Sequence, residues 1–165
     1  MESVLPLAYF SALLAVVSPA ARLPVLSPAA PRSVTACAAV TRADVQDALG
    51  QPIAKSEEET DGVESTCDYA GAIGQVTILI RRFPERLNIP AEIAGIVKNV
   101  PNSKVRTAAG IGTHAFFVDI AGVGTQLHVM RGEHQYLMIS LLGFGEGPHV
   151  SAAAAKIARK ALSRM

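Results

Sequence analysis

Apolar residues alternate with polar ones over Gln75–Phe83, where Val76, Ile78 and Ile80 interleave with Thr77, Leu79 and Arg81. A period of two marks a strand buried on one side. Helical spacing takes over at Pro90, with Ile93, Ile96, Val97 and Val100 along one side before Pro101. Proline suits the first turn of a helix and stops one that has run its length. Gly110-Ile111-Gly112 reads as a turn, and Thr113–Ile120 as a further strand.

Two more apolar sets, Leu127 with Val129 and Leu137 with Ile139 and Leu141, belong to a hairpin. A two-residue loop would pair Val129 with an even-numbered residue and turn one set outward. The odd loop Gly132-Glu133-His134, or a bulge beside Gly132, keeps both inside. The expected register is therefore Val129 opposite Leu137 and Leu127 opposite Ile139. Ser151 is placed to cap a last helix with Ala154, Ile157, Ala158, Ala161 and Leu162 as its buried stripe. Lys156, Arg159, Lys160 and Arg164 gather towards its end, where cations suit the helix dipole.

Nearer the start, Thr41-Arg42-Ala43-Asp44 sets a hydroxyl three residues before a carboxylate, close to a capping box. Val45, Ala48 and Leu49 follow on one face, and Gly50 supplies the stop before Pro52. This predicts a short helix over 41–49. Residues 51–66, with Glu57, Glu58, Glu59, Asp61 and Glu64, read as a solvated acidic loop without the spacing of a calcium loop. The order of elements predicts an α+β fold, a single antiparallel sheet with helices packed on one face.

Ahead of the domain, Val4 to Val17 is nearly unbroken apolar sequence closing on Ser18-Pro19-Ala20-Ala21. This has the form of a secretory leader over 1–21, although its first residues carry Glu2 and no Lys or Arg. It is shorter than a membrane-spanning helix, which needs roughly 20 apolar residues. Pro24, Pro28 and Pro31 make 22–34 a Pro/Ala-rich linker, leaving 35–165 as a single domain. The expected destination is the periplasm or the exterior.

Charge narrows the function classes. A net charge of +1, with no Trp and 5% aromatic residues, supplies neither the basic field nor the stacking platforms that nucleic acids require. In an exported chain an even cysteine count favours a bridge, here Cys37 to Cys67. The competing reading is a lipobox, Val34-Thr35-Ala36-Cys37, in which Cys37 would carry lipid and Cys67 would be left alone. Two distant cysteines are too few to hold a metal.

The run Cys37-Ala38-Ala39-Val40-Thr41-Arg42-Ala43-Asp44-Val45 with Leu49-Gly50, then Cys67-Asp68-Tyr69, resembles the opening of a group of secreted or lipid-anchored bacterial envelope domains of unknown function. Their shared features are a cysteine, a Thr-capped helix ending in Gly, and a second cysteine followed by an aromatic. The likeness extends loosely to Gly110-Ile111-Gly112, Arg131-Gly132-Glu133 and the C-terminal helix. It implies a disulfide and an α+β sheet domain, and it transfers no catalytic residues.

Candidate chemistry is sparse. The histidines are His114, His128, His134 and His149, and none sits in a metal-protease, nucleophile-elbow or paired-carboxylate motif. His128 is expected opposite Met138 on the side away from the core, His134 on the turn, and the histidines together as surface residues. No catalytic, cofactor or metal residue is assigned. Arg81, Arg82 and Arg86 form the one basic knot, a weak candidate surface site for an anionic headgroup or acidic polymer. Solvated arginines at a strand end are the commoner meaning. The leading expectation is a non-catalytic envelope domain that binds a protein or cell-wall partner through a sheet face. The alternative is a carrier of a small apolar ligand between sheet and helices, with a small enzyme third.

Overall fold

The computed structural model describes residues 34–165 apart from Pro101. The leader and nearly all of the linker lie outside the described residues. Among the described residues four helices and seven strands follow the order α1 (Ala36–Ala39), α2 (Arg42–Leu49), β1 (Ile53–Asp61), β2 (Glu64–Gly71), β3 (Gln75–Arg82), α3 (Ile89–Asn99), β4 (Ser103–Thr107), β5 (His114–Ile120), β6 (Gly124–Arg131), β7 (Gln135–Leu142) and α4 (Pro148–Arg164). The strands form one sheet in the order β1-β2-β3-β7-β6-β5-β4, with every neighbour antiparallel. This is the expected α+β class. Three helices, α1, α2 and α4, share one face of the sheet, and α3 lies on the other.

The main core sits between the sheet and α4. Val76, Ile78 and Ile80 of β3 point into it, as do Leu137, Ile139 and Leu141 of β7. The hairpin register is the expected one, with Val129 opposite Leu137 and Leu127 opposite Ile139. Helix α4 contributes Ala154, Ile157, Ala158 and Ala161, all buried. Its cap is Gly147 rather than Ser151, which lies inside the helix because Pro148 already occupies the first turn.

The front of the domain is bound to this core by several independent links. A Cys37–Cys67 disulfide joins α1 to the middle of β2 across 30 residues. The bridge takes up the sulfur that the lipobox reading would have needed. Thr41 and Asp44 form a full capping box, and Gly50 ends α2 at φ 68°. Arg164, at the end of α4, donates to Asp44 at 2.5 Å and to the Ala39 carbonyl at 2.9 Å. Its guanidinium holds the Asp44 carboxyl well below the usual carboxylate range.

One expectation is overturned here. The acidic stretch 51–66 is not a loop: it holds β1, a tight turn and the start of β2. Its period of two is hidden because β1 is the outermost strand and only Ile53 in it is buried. Glu58 faces the helices and accepts from the Cys37 N–H at 2.9 Å, while Ser65 accepts from the Ala36 N–H at 2.8 Å. Two side chains of the hairpin thus satisfy the open N-terminal donors of α1. The short strand β4 was not anticipated either; its five residues show too little apolar alternation to announce it.

Candidate functional site

The face under α3 gathers the groups with chemical potential. Phe116, Val118 and Met130 form a second, smaller apolar cluster, packed against Leu87, Ile89, Ile93, Ile96 and Val100. The helix starts at an Asn88 cap, whose side chain accepts from the Ala91 N–H at 3.2 Å. No residue of α3 is fully buried. Val97, expected on the apolar side, is 40% exposed. The helix therefore rests on the sheet along a narrow stripe.

Beneath it lies His128, opposite Met138 as the pairing rule requires. The surface-histidine expectation fails for this residue, which is only 2% exposed because α3 roofs the face on which it lies. Its ring stacks on Phe116 at 4.9 Å between centroids. Nδ1 lies 2.5 Å from the Tyr136 hydroxyl and Nε2 lies 3.3 Å from Gln126 Oε1. Burial pushes the imidazole down to about 4 and raises the Tyr136 phenol above its ordinary range. Both groups are then neutral near pH 7. The phenol donates to Nδ1, which leaves the ring proton on Nε2 to be donated to Gln126. The Gln126 amide in turn reaches Ser140 Oγ at 3.5 Å.

This chain of neutral donors and acceptors satisfies a buried polar group. It is poorly arranged for proton transfer to an outside molecule, since both ring nitrogens are engaged. Glu92 lines the groove beside it but makes no hydrogen bond to the histidine. The other three histidines are exposed. His134 sits on the β6–β7 turn beside the Phe83 carbonyl at 3.1 Å.

The three arginines do not converge. Arg81 pairs with Glu64 across the strands, Nε to Oε2 at 2.5 Å. Arg86 forks onto Glu133, Nε to Oε2 at 2.5 Å. Arg82 alternates to the other side of β3 and lines a hollow with Val34, Thr60 and Ile80. Two of the three cations are thus spent on carboxylates of neighbouring strands and turns.

Two open grooves flank α3. One, of about 310 Å³, runs between the helix and β7 and is lined by Gly95, Ile96, Asn99, Gln126, Tyr136 and Met138. The other, of about 440 Å³, lies between the helix and β4, with Ile93, Val105, Thr107, Ile111 and Phe116 in its walls. Gly112, at φ 59°, closes the second against the sheet: a Cβ there would stand 2.5 Å from Val129. Strand β4 is anchored on its inner side by Arg106, which binds Asp119 at 2.5 and 2.9 Å and donates to Ser151 at 2.8 Å. The Arg106 guanidinium keeps the Asp119 carboxyl below its ordinary value.

Comparison of the chain with known families, characterised proteins and solved structures finds no match. Among the described residues no group of three or more His, Cys, Asp or Glu side chains could hold a metal ion. No helix among them is long and apolar enough to cross a membrane. Sequence reasoning placed His128 and Met138 on the right side of the sheet. It missed the β4 groove, whose walls bring Ile93 of α3 against the stretch from Val105 to Phe116. The one available signal was the Lys104-Val105-Arg106 alternation.

Proposed function

We propose that this chain is an exported, non-catalytic binding domain of a bacterial envelope whose partner is a protein engaged on the α3 side of the sheet. The observation that carries this reading is α3 itself, a helix with no fully buried residue, flanked on both sides by open grooves. Export is supported by the Cys37–Cys67 bridge, which persists in oxidising compartments, and by the leader-like start. The non-catalytic part rests on His128, whose two nitrogens are both engaged by neutral side chains. The remaining sheet face, over β1 to β3, sets Glu57, Glu59, Thr66, Asp68 and Thr77 around a half-buried Leu79 and is the more polar surface.

Site-resolved photocrosslinking in the native envelope tests the reading. A photoreactive residue at Val105 should give a defined protein adduct, and one at Thr66 should not. Adducts at Thr66 alone, or at neither position, would overturn it. The carrier alternative is favoured by the groove beside β7, where Gln126 and Tyr136 stand among apolar walls. A small molecule bound to natively purified protein, detected by native mass spectrometry, would move the conclusion there.

A further inference from the structure

Among the described residues strand β4 ends the sheet, and no strand of theirs neighbours its outer flank. Which of its main-chain groups are free follows from the pairing. The Ala108 N–H donates to the Ala115 carbonyl at 3.0 Å, so residues of the same parity, Lys104 and Arg106, turn their main-chain groups towards β5. Ser103, Val105 and Thr107 turn theirs outward. Their side chains also lie on the α3 side, because Val105 faces Val118 and Thr107 faces Phe116. The free edge and the 440 Å³ groove are therefore one surface, in which backbone donors and acceptors adjoin Ile93, Ile111 and Phe116.

The opposite edge shows what a protected one looks like. Strand β1 carries Lys55, Glu57, Glu58, Glu59 and Asp61, a charged row of the kind that blocks strand addition. In β4 the charges are Lys104 and Arg106 alone, and Arg106 is committed to Asp119. Val105 is 40% exposed at the centre of the strand.

We infer that β4 binds an extended polypeptide segment of a partner protein by strand addition, antiparallel to β4, with apolar side chains at alternate positions and a carboxylate between them. The inference rests on the protein-binding reading above and assigns its chemistry. A residue added opposite Val105 points to the same side as Val105, into the groove beside Ile93. The intervening residue emerges on the α4 side next to the exposed Lys104, where a carboxylate is favoured. A second copy of this chain fits poorly in either mode. Pairing β4 with another β4 about Val105 sets Lys104 against Arg106, a like-charge contact. Pairing β4 with β1 of another copy brings Glu and Lys side chains to an apolar groove.

The test uses a short blocked peptide alternating valine and glutamate, titrated into the whole domain with its disulfide intact. Backbone amide exchange and amide chemical shifts are followed residue by residue. The Val105 and Thr107 amides should exchange about tenfold more slowly with peptide bound. N-methylation of the peptide groups that meet Val105 should abolish binding while leaving the side chains unchanged. Lys104→Gln, which removes the charge without setting a second carboxylate opposite Asp119, should weaken binding by roughly twofold. Val105→Pro, which removes only an outward N–H, should also block it. If that variant does not fold, the N-methylated peptide still decides the matter. Equal binding of the N-methylated peptide, protection elsewhere, no binding at all, or a dimer that consumes the β4 edge would each overturn strand addition. Among these, photocrosslinking from Val105 with no strand-type protection would leave the protein-binding reading standing and defeat only this one.

Discussion

The two faces of the sheet are built to different standards. On one, a large core of β3, β6 and β7 side chains meets α4, and the disulfide, the Thr41–Asp44 box and the Arg164 clamp hold the front helices in place. On the other, α3 rests on Phe116, Val118 and Met130 and crosses a buried histidine. The first face has the redundancy of a scaffold. The second has few buried contacts, which is the property of elements that open locally at a small fraction of the global free energy. Binding surfaces come from that end of the range, and the free β4 edge lies on the same side.

The comparison breaks most sharply under core truncation. Ile157→Ala should cost about 3–4 kcal/mol in chemical denaturation, because the side chain is fully buried between α4 and the sheet. Ile96→Ala, in the half-buried stripe of α3, should cost about 1 kcal/mol or less. Equal costs would mean that α3 is as much part of the core as α4.

Removing the bridge comes next. Cys67→Ser should lower stability by about 3.5 kcal/mol relative to the oxidised protein on the chain-entropy account of a loop of 30 residues. Reduced wild type should then match the variant. If oxidised wild type and variant unfold alike, the bridge contributes nothing to holding the first face.

Acid should act on the second face first. His128 is held neutral in the fold, at about 4 against an ordinary 6.5, so between those values the unfolded chain binds a proton that the folded chain refuses. Stability must therefore fall as the pH drops through that window, by a total on the order of 3 kcal/mol. Hydrogen exchange in α3 should accelerate before that in α4. Asp44 and Asp119 are also shifted down, but from a lower starting point, and their contributions are lost only as the pH falls below the ordinary 3.8. His128→Gln should remove the upper part of this dependence. A profile unchanged by that replacement would show that the imidazole is not the group responsible.

The smallest effect sharpens the picture of the first face. Thr41→Ala should cost about 1 kcal/mol through the lost cap, read in the melting temperature. A neutral result would mean that Arg164 alone fixes Asp44 and the start of α2.

Legibility followed the strength of local periodicity. The β6–β7 register was readable because a slip of one residue would have turned Leu127 and Val129, or Leu137 and Ile139, into solvent. The capping box, Gly50 and Pro90 carry their meaning within four residues of themselves. Strand β1 was unreadable for the opposite reason: an edge strand with charges on both sides has no period to detect. Val97 was misplaced because half-buried helices tolerate apolar residues off the contact stripe. At the candidate site, His128 opposite Met138 could be foreseen from register, whereas its burial could not.

By itself the amino-acid sequence determined the α+β class, the main helices, the core-facing sets of three strands and the pairing of the last hairpin. Each of these follows from interactions between near neighbours or from a single buried face. Only the tertiary structure decided that α3 crosses to the far side of the sheet, that β1 and β4 are its edges, and that a charged row guards one edge while an apolar groove adjoins the other. Those outcomes depend on strand order, and strand order is set by which distant segments bury area together.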